Sequence, residues 1–218
     1  MKEIWILGVG QFGLHAVQTL ATEHPHAHLV LVDPVESNLL RAAGPNRSLK
    51  VADGVTYTQN NLSSAEDGPD WIVPALPIHL AAEWCLRRQG PRLRRYAVPK
   101  AIDPHIPNPM RGVGGNVYTS HAAFRCPENC SEPADICSIT TEPRKKNMFE
   151  ILGDLHLPSF EAIAIRSHQL GPGIGGYRPA HLFALAKRLE TIRGGILLST
   201  ACRCHGVITG LWHDKPSA

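Results

Sequence analysis

Gly8-Val9-Gly10-Gln11-Phe12-Gly13 has the G-x-G-x-x-G spacing that lets a backbone cradle a pyrophosphate. Gly8 permits a tight turn out of a strand, Gly10 lets the backbone approach the phosphates, and Gly13 lets a helix pack closely on that strand. A helix opening here aims its free N–H groups and positive dipole end at an anion. Gln11 and Phe12 complete the candidate cofactor-binding loop. Asp33 follows twenty residues after Gly13, where a carboxylate ending the next strand accepts bonds from ribose hydroxyls. A carboxylate there disfavours a 2′-phosphate, so the expected ligand is NAD(H) rather than NADP.

The cysteines are the second chemical feature. Of six, Cys85 stands alone and the others cluster late, as Cys126, Cys130 and Cys137 and then as Cys202-Arg203-Cys204-His205. In a reducing compartment such clusters are metal ligands or catalytic thiols more often than disulfides. The spacing C-x3-C-x6-C is neither the C-x2-C zinc knuckle nor a ferredoxin run, although Cys126-Pro127 has the Cys-Pro pair found at some cluster ligands. The leading expectation is an iron–sulfur cluster held by Cys126, Cys130, Cys137 and either Cys202 or Cys204. Zinc is its rival. Scattered buried cysteines are the bland alternative, and a regulatory Cys202/Cys204 dithiol a further one.

Other residues carry weaker signals. Gly171–Gly176, between a strand and a helix, reads as a second anion nest or a plain turn. His168 before it is the candidate catalytic proton donor, weighed against a hydrogen-bonded structural histidine. His121 is a candidate ligand or ligand-supporting group, and Lys100 a candidate phosphate contact. His24, His26 and His28 read as surface residues on the sheet edge away from the ligand. The basic run Arg87, Arg88, Arg92, Arg94 and Arg95 reads as a solvated face, and Lys145-Lys146 as the polar start of a helix.

These groups need elements to hold them. Apolar runs predict strands at 3–7, 29–32, 49–57, 70–75 and 94–98, and helical spacing predicts helices at 11–22, 37–43 and 78–88. Alternation of this kind implies a parallel sheet with helices on both faces. From 100 to about 144, prolines and glycines interrupt any pattern, and so long an irregular connection is functional or stapled. Regularity returns with helices from 148 and at 179–192 and strands at 160–165 and 196–200, the last continuing past Cys204 or turning back as 206–212. The expectation is one α/β domain over 1–218: a doubly wound, mostly parallel sheet. Within it, 1–98 is a dinucleotide-binding half, 99–144 a cysteine- and proline-rich insertion, and 145–218 a second part completing the sheet. Loops leaving the carboxyl ends of its strands would then bring the glycine loop and the cysteines to one edge.

On Gly8, Gly10, Gly13 and Asp33, residues 1 to about 98 resemble the Rossmann nucleotide-binding family in its TrkA-N-like branch. The resemblance implies that the glycines contact pyrophosphate and Asp33 the ribose. It does not extend beyond residue 100. S-adenosylmethionine enzymes share such a loop, with the third glycine more often one position earlier.

Composition sets outer bounds. Hydrophobic residues make up 43% and charged residues 19% of the chain, with net charge +3. This is globular composition, with no case for nucleic acid as partner. No apolar run approaches the ~20 residues of a membrane span, and the N-terminus lacks a leader pattern, so the expected compartment is the cytoplasm. Three classes of function follow: an NAD(H)-linked oxidoreductase or electron-transfer protein with a redox partner, a non-enzymatic NAD(H) or redox sensor with structural zinc, and a methyltransferase. No acid–base pair is legible that would name a substrate. A two-fold homodimer is the default assembly.

Overall fold

A computed structural model describes residues 2–112 and 114–214. In chain order the elements are β1 (Glu3–Leu7), α1 (Gln11–Glu23), β2 (His28–Asp33), α2 (Glu36–Arg41), β3 (Arg47–Val51), α3 (Gly54–Asn61), β4 (Trp71–Pro74), α4 (Leu80–Gln89) and β5 (Leu93–Arg95). There follow β6 (Met110–Arg111), β7 (Val117–Ser120), α5 (Met148–Gly153), β8 (Phe160–Arg166), β9 (His168–Gly171), β10 (Ile174–Gly176), α6 (Pro179–Thr191), β11 (Gly194–Ala201) and β12 (His205–His213).

The chain is a mixed α/β structure built on two main sheets and a separate two-stranded hairpin. The first is parallel throughout, with strand order β3-β2-β1-β4. Strand period two explains why its strands read as continuous apolar runs. Trp5, Leu7, Val30 and Val32 enter one buried cluster, while Ile4, Ile6, Leu29 and Leu31 enter another on the opposite face. On that second face α1 contributes Ala16, Val17 and Leu20, which its helical repeat stacks on one stripe.

The second sheet has the order β6-β7-β12-β11-β8, with β5 also paired to β12. Only β8 and β11 are parallel; the other pairings are antiparallel. Trp84 of α4 and Leu182 and Leu189 of α6 are buried with Leu7 and Ile72 of the first sheet and Ile196 and Leu211 of the second. The two sheets therefore share one core with these helices between them. Each such apolar side chain contributes about 1.5–3 kcal/mol on burial. Met148 and Leu152 of α5 cover the outer face of the second sheet with Leu197 and Ile208.

Four expectations differ from this architecture. The strand expected over 49–57 ends at Val51, because the Asp53 side chain accepts from Thr56 N at 2.8 Å and caps α3, which takes Tyr57 into a helix. The strand expected at 94–98 shortens to β5 and pairs antiparallel with β12, leaving the parallel sheet. Of the part expected to complete the first sheet, β8, β11 and β12 build the second sheet instead, because β11 turns back through Cys202–Cys204 into β12 and hydrogen-bonds along its whole length to it. Gly171–Gly176 is a hairpin, not a strand-to-helix turn: Gly173, at φ +72°, makes the corner between β9 and β10. That hairpin flanks β4 through a bridge between Ile72 and Tyr177.

Candidate functional site

The glycine loop has the stereochemistry its spacing implies. Gly8 sits at φ +88°, and a Cβ there would lie 2.6 Å from the Ala75 carbonyl oxygen. A Cβ on Gly13 would overlap the Gly8 carbonyl, 2.8 Å from its carbon, so the close approach of α1 to β1 requires glycine. At Gly10 nothing stands within 4 Å of that position, and no side chain caps the helix that begins after it. The first N–H groups of α1 thus face open space.

Asp33 is only 5% exposed and already engaged. One carboxylate oxygen accepts from Val9 N at 2.6 Å; the other accepts from Val35 N at 2.8 Å and Asn38 Nδ2 at 3.2 Å. Its visible work is to tie the end of β2 to the glycine loop.

A cavity of about 1410 Å³ opens beside α1, lined by Gly10, Gln11 and Phe12, by residues 73–80 at the end of β4, and by Cys126, Cys130, Cys137, Cys202 and Cys204. No residue between 17 and 72 lines it, so it lies on the β4 side of β1, away from Asp33. The strand order reverses at β1, which is flanked by β2 and β4, and open parallel sheets commonly take ligands beside such a reversal.

The irregular segment carrying three of the cysteines is held by polar contacts. Arg144 Nη1 donates to Pro133 O at 2.7 Å and Ala134 O at 2.8 Å, and Nη2 donates to Ile136 O at 3.3 Å and to Cys204 Sγ at 2.9 Å. Glu132, at φ +45°, accepts from Arg203 N and from Cys204 N at 3.2 Å. Gln169 Nε2 donates to Cys130 O at 2.6 Å, fastening the segment to β9. Exchanging Arg144 for methionine keeps the apolar stem and removes all four bonds. Proteolytic cleavage between 125 and 143 should then run at least about tenfold faster under native conditions, and an unchanged rate would show that Arg144 is not the staple.

The sulfurs accept N–H groups from their own turns. Cys202 Sγ receives Cys204 N at 3.4 Å and His205 N at 3.3 Å, and Cys130 Sγ receives Glu132 N at 3.4 Å. Backbone N–H groups of Thr140 and Ile139 hold the Cys137 thiol below its ordinary range. Burial raises Cys126, and the nearby Cys130 and Cys137 raise it further. Cys204 is raised by burial against the pull of Arg144, with Cys130 among its neighbours. Burial and Glu132 push Cys202 to about 12, and burial, against the pull of Arg88, gives the same value at Cys85, a core residue. N–H bonds to sulfur stabilise thiolate and are common around metal–sulfur centres. The donor types therefore suit a metal. Among the described residues, however, no three His, Cys, Asp or Glu side chains converge on one point.

His168, the expected proton donor, lies outside the cavity. It packs against Trp71 (5.6 Å between ring centroids) and stacks on His181 (6.0 Å). Burial lowers its pKa, with Arg166 adding to the effect. His121 does line the cavity and bonds Lys146 O at 3.0 Å, whereas Lys100 is exposed elsewhere. Sequence reasoning missed Arg144, Glu132 and a buried group around His79. Nothing local marks them: Arg144 simply precedes two lysines, and the contacts that tie Arg144 to Cys204 and Glu132 to Arg203 span 60 or more positions.

The fold and site define a mixed α/β protein with a thiol-lined cavity at the end of a parallel sheet. A family profile described as "Uncharacterized protein, C-terminal domain" (AF_1314_C) matches residues 78–214, and the chain belongs to that family. The matched span covers the second sheet and every cysteine. A protein of Archaeoglobus fulgidus, called "Uncharacterized protein", is 35% identical over 146 residues, which amount to 66% of this chain and 65% of that relative. The match thus covers just under two thirds of the relative's length. No solved structure matches the chain. Among the described residues, no helix is long and apolar enough to cross a membrane.

Proposed function

We propose that this chain is a dinucleotide-binding redox protein, with a doubly wound Rossmann-type first half that holds NAD(H) and a cysteine-rich insertion that brings a metal–sulfur centre to the same cavity. One observation carries the reading: the uncapped N-terminus of α1 and five cysteines line a single cavity. Gly10 leaves room for a pyrophosphate, and Gly8 and Gly13 meet the packing demands of such a loop. When bound, the nucleotide supplies hydride chemistry; the chain supplies helix N–H groups, apolar walls from residues 73–78, and exclusion of water.

For the metal, the donor chemistry favours Cys126, Cys130 and Cys137 with Cys204 as fourth partner. Cys130 is among the groups felt by Cys204, whose sulfur accepts from Arg144, whereas the Cys202 thiol is hydrogen-bonded with Glu132. An iron–sulfur cluster is the leading occupant and zinc the second. Either must draw the sulfurs together from the positions described.

Two measurements test the reading. Protein purified without oxygen should be brown, with broad visible absorption that dithionite bleaches. Calorimetric titration should show one equivalent of NADH bound, with weaker NADPH binding. Colourless protein with stoichiometric zinc turns the reading into a dinucleotide-dependent sensor. Binding of S-adenosylmethionine without NADH makes the chain a methyltransferase and overturns the proposal.

A further inference from the structure

Along the cavity wall runs a chain of hydrogen bonds in which every proton can be assigned. Thr209 Oγ1 donates to Asn116 Oδ1 at 2.8 Å. A hydroxyl has one proton, so Thr209 can only accept from its other neighbour, His79 Nδ1, at 2.7 Å. Nδ1 therefore carries the hydrogen. His79 is 3% exposed, and a charge there would have no carboxylate partner among its hydrogen bonds. Burial, with Arg95 nearby, pushes its pKa down to about 3, so the ring is neutral and Nε2 is bare. Nε2 must then accept from Thr200 Oγ1, 2.8 Å away. Thr200 has spent its only proton. It is half-buried and lines the cavity, where its oxygen offers lone pairs and no hydrogen.

A neutral imidazole this hard to protonate is no general base near pH 7. Its effect is to fix the sense of Thr200. A hydroxyl in open water donates or accepts at will; this one can only accept.

We infer that Thr200 is a hydrogen-bond acceptor in the cavity wall that selects a ligand carrying an amide N–H, and that this group is the carboxamide of a nicotinamide. The inference rests on the dinucleotide reading. The cavity lies on the β4 side of β1, with Asp33 on the other, so the half of a dinucleotide that enters it is the half remote from the adenosine ribose. Apolar surroundings from Leu76, Pro77 and Ile78 suit an aromatic ring whose one amide needs a partner.

The test uses the full chain and three probes in calorimetric titrations: NAD+, its 3-acetylpyridine analogue, in which a methyl group replaces the amide nitrogen, and ADP-ribose. Wild-type protein should bind NAD+ about tenfold more tightly than the analogue, the usual consequence of leaving one acceptor without a donor. Thr200→Val should bring the two within about twofold, chiefly by weakening NAD+, and Thr200→Ser should restore the discrimination. If circular dichroism shows Thr200→Val unfolded, the wild-type and Thr200→Ser ratios decide. Equal binding of NAD+ and the analogue to wild-type protein overturns the inference. So does discrimination that survives Thr200→Val. Binding of ADP-ribose as tight as that of NAD+ leaves the dinucleotide reading standing and removes this one. No binding by any probe removes both.

Discussion

Gly13→Ala should destabilise the protein by about 3 kcal/mol or more, while Gly10→Ala, three positions away, should cost no more than about 1 kcal/mol. The two glycines belong to one motif but face different surroundings. A methyl group on Gly13 would be driven into the Gly8 carbonyl, which cannot yield because Gly8 N is bonded to Val32 O at 2.7 Å and Val9 N to Asp33. Relief would require α1 to lift from β1, exposing Ala16, Val17 and Leu20. At Gly10 the added methyl group enters the cavity and meets nothing within 4 Å. Urea unfolding separates the cases. A Gly13→Ala midpoint equal to wild type would show that the contact does not hold α1 in place. Gly10→Ala should keep the fold and, on the proposed dinucleotide function, weaken NADH binding, because its methyl group occupies the space a pyrophosphate needs.

Acid should destabilise this protein steeply from just below neutrality. In the unfolded chain an imidazole titrates near 6.5, whereas His79 in the folded protein is held down to about 3. Below pH 6.5 the unfolded state therefore binds a proton that the folded state refuses. This contribution to stability is complete above 6.5 and is lost as the pH falls toward 3. The slope is about 1.4 kcal/mol per pH unit, or about 2 kcal/mol between pH 6.5 and pH 5. His121, His168, His181, His205 and His213 are all shifted downward too, burial being the first cause at each, so their contributions have the same sign. His79→Gln should retain a polar partner for the two threonines while removing one proton from the linkage. Urea unfolding at pH 7 and pH 5 should show wild type losing about 2 kcal/mol more than His79→Gln. Equal losses would mean that His79 is accessible to protons in the fold.

Much of the first half was legible. The strands at 3–7 and 29–32, and the helices beginning at Gln11 and near Leu80, follow from apolar periodicity and local punctuation, which need no knowledge of distant residues. Tyr57 departs from the strand its run predicts because the β-favouring stretch 49–57 hides a cap at Asp53, one side chain that outweighs intrinsic preference. The parting of β5 from the parallel sheet was invisible for another reason. Its three residues pair with β12, more than a hundred positions later, and partner choice leaves no mark on so short a strand. Of the candidate site, the glycine loop and the cysteines announced themselves by residue type and spacing. Arg144, Glu132, His79 and Thr200 did not, because single polar residues acquire meaning only from what they touch.

By itself the sequence determined the turn chemistry at Gly8–Gly13, the apolar faces of α1 and β1, and the unpatterned character of the segment that carries Cys126, Cys130 and Cys137. Each is set by neighbours a few residues away, through sterics and side-chain period. Only the tertiary structure decided that a second, mostly antiparallel sheet forms beside the first, that His168 lies outside the cavity, and that Asp33 spends its carboxylate on Val9 and Val35. It also decided that Thr200 can only accept. Those outcomes depend on which of many compatible long-range pairings buries the most apolar surface while leaving few buried polar groups without partners.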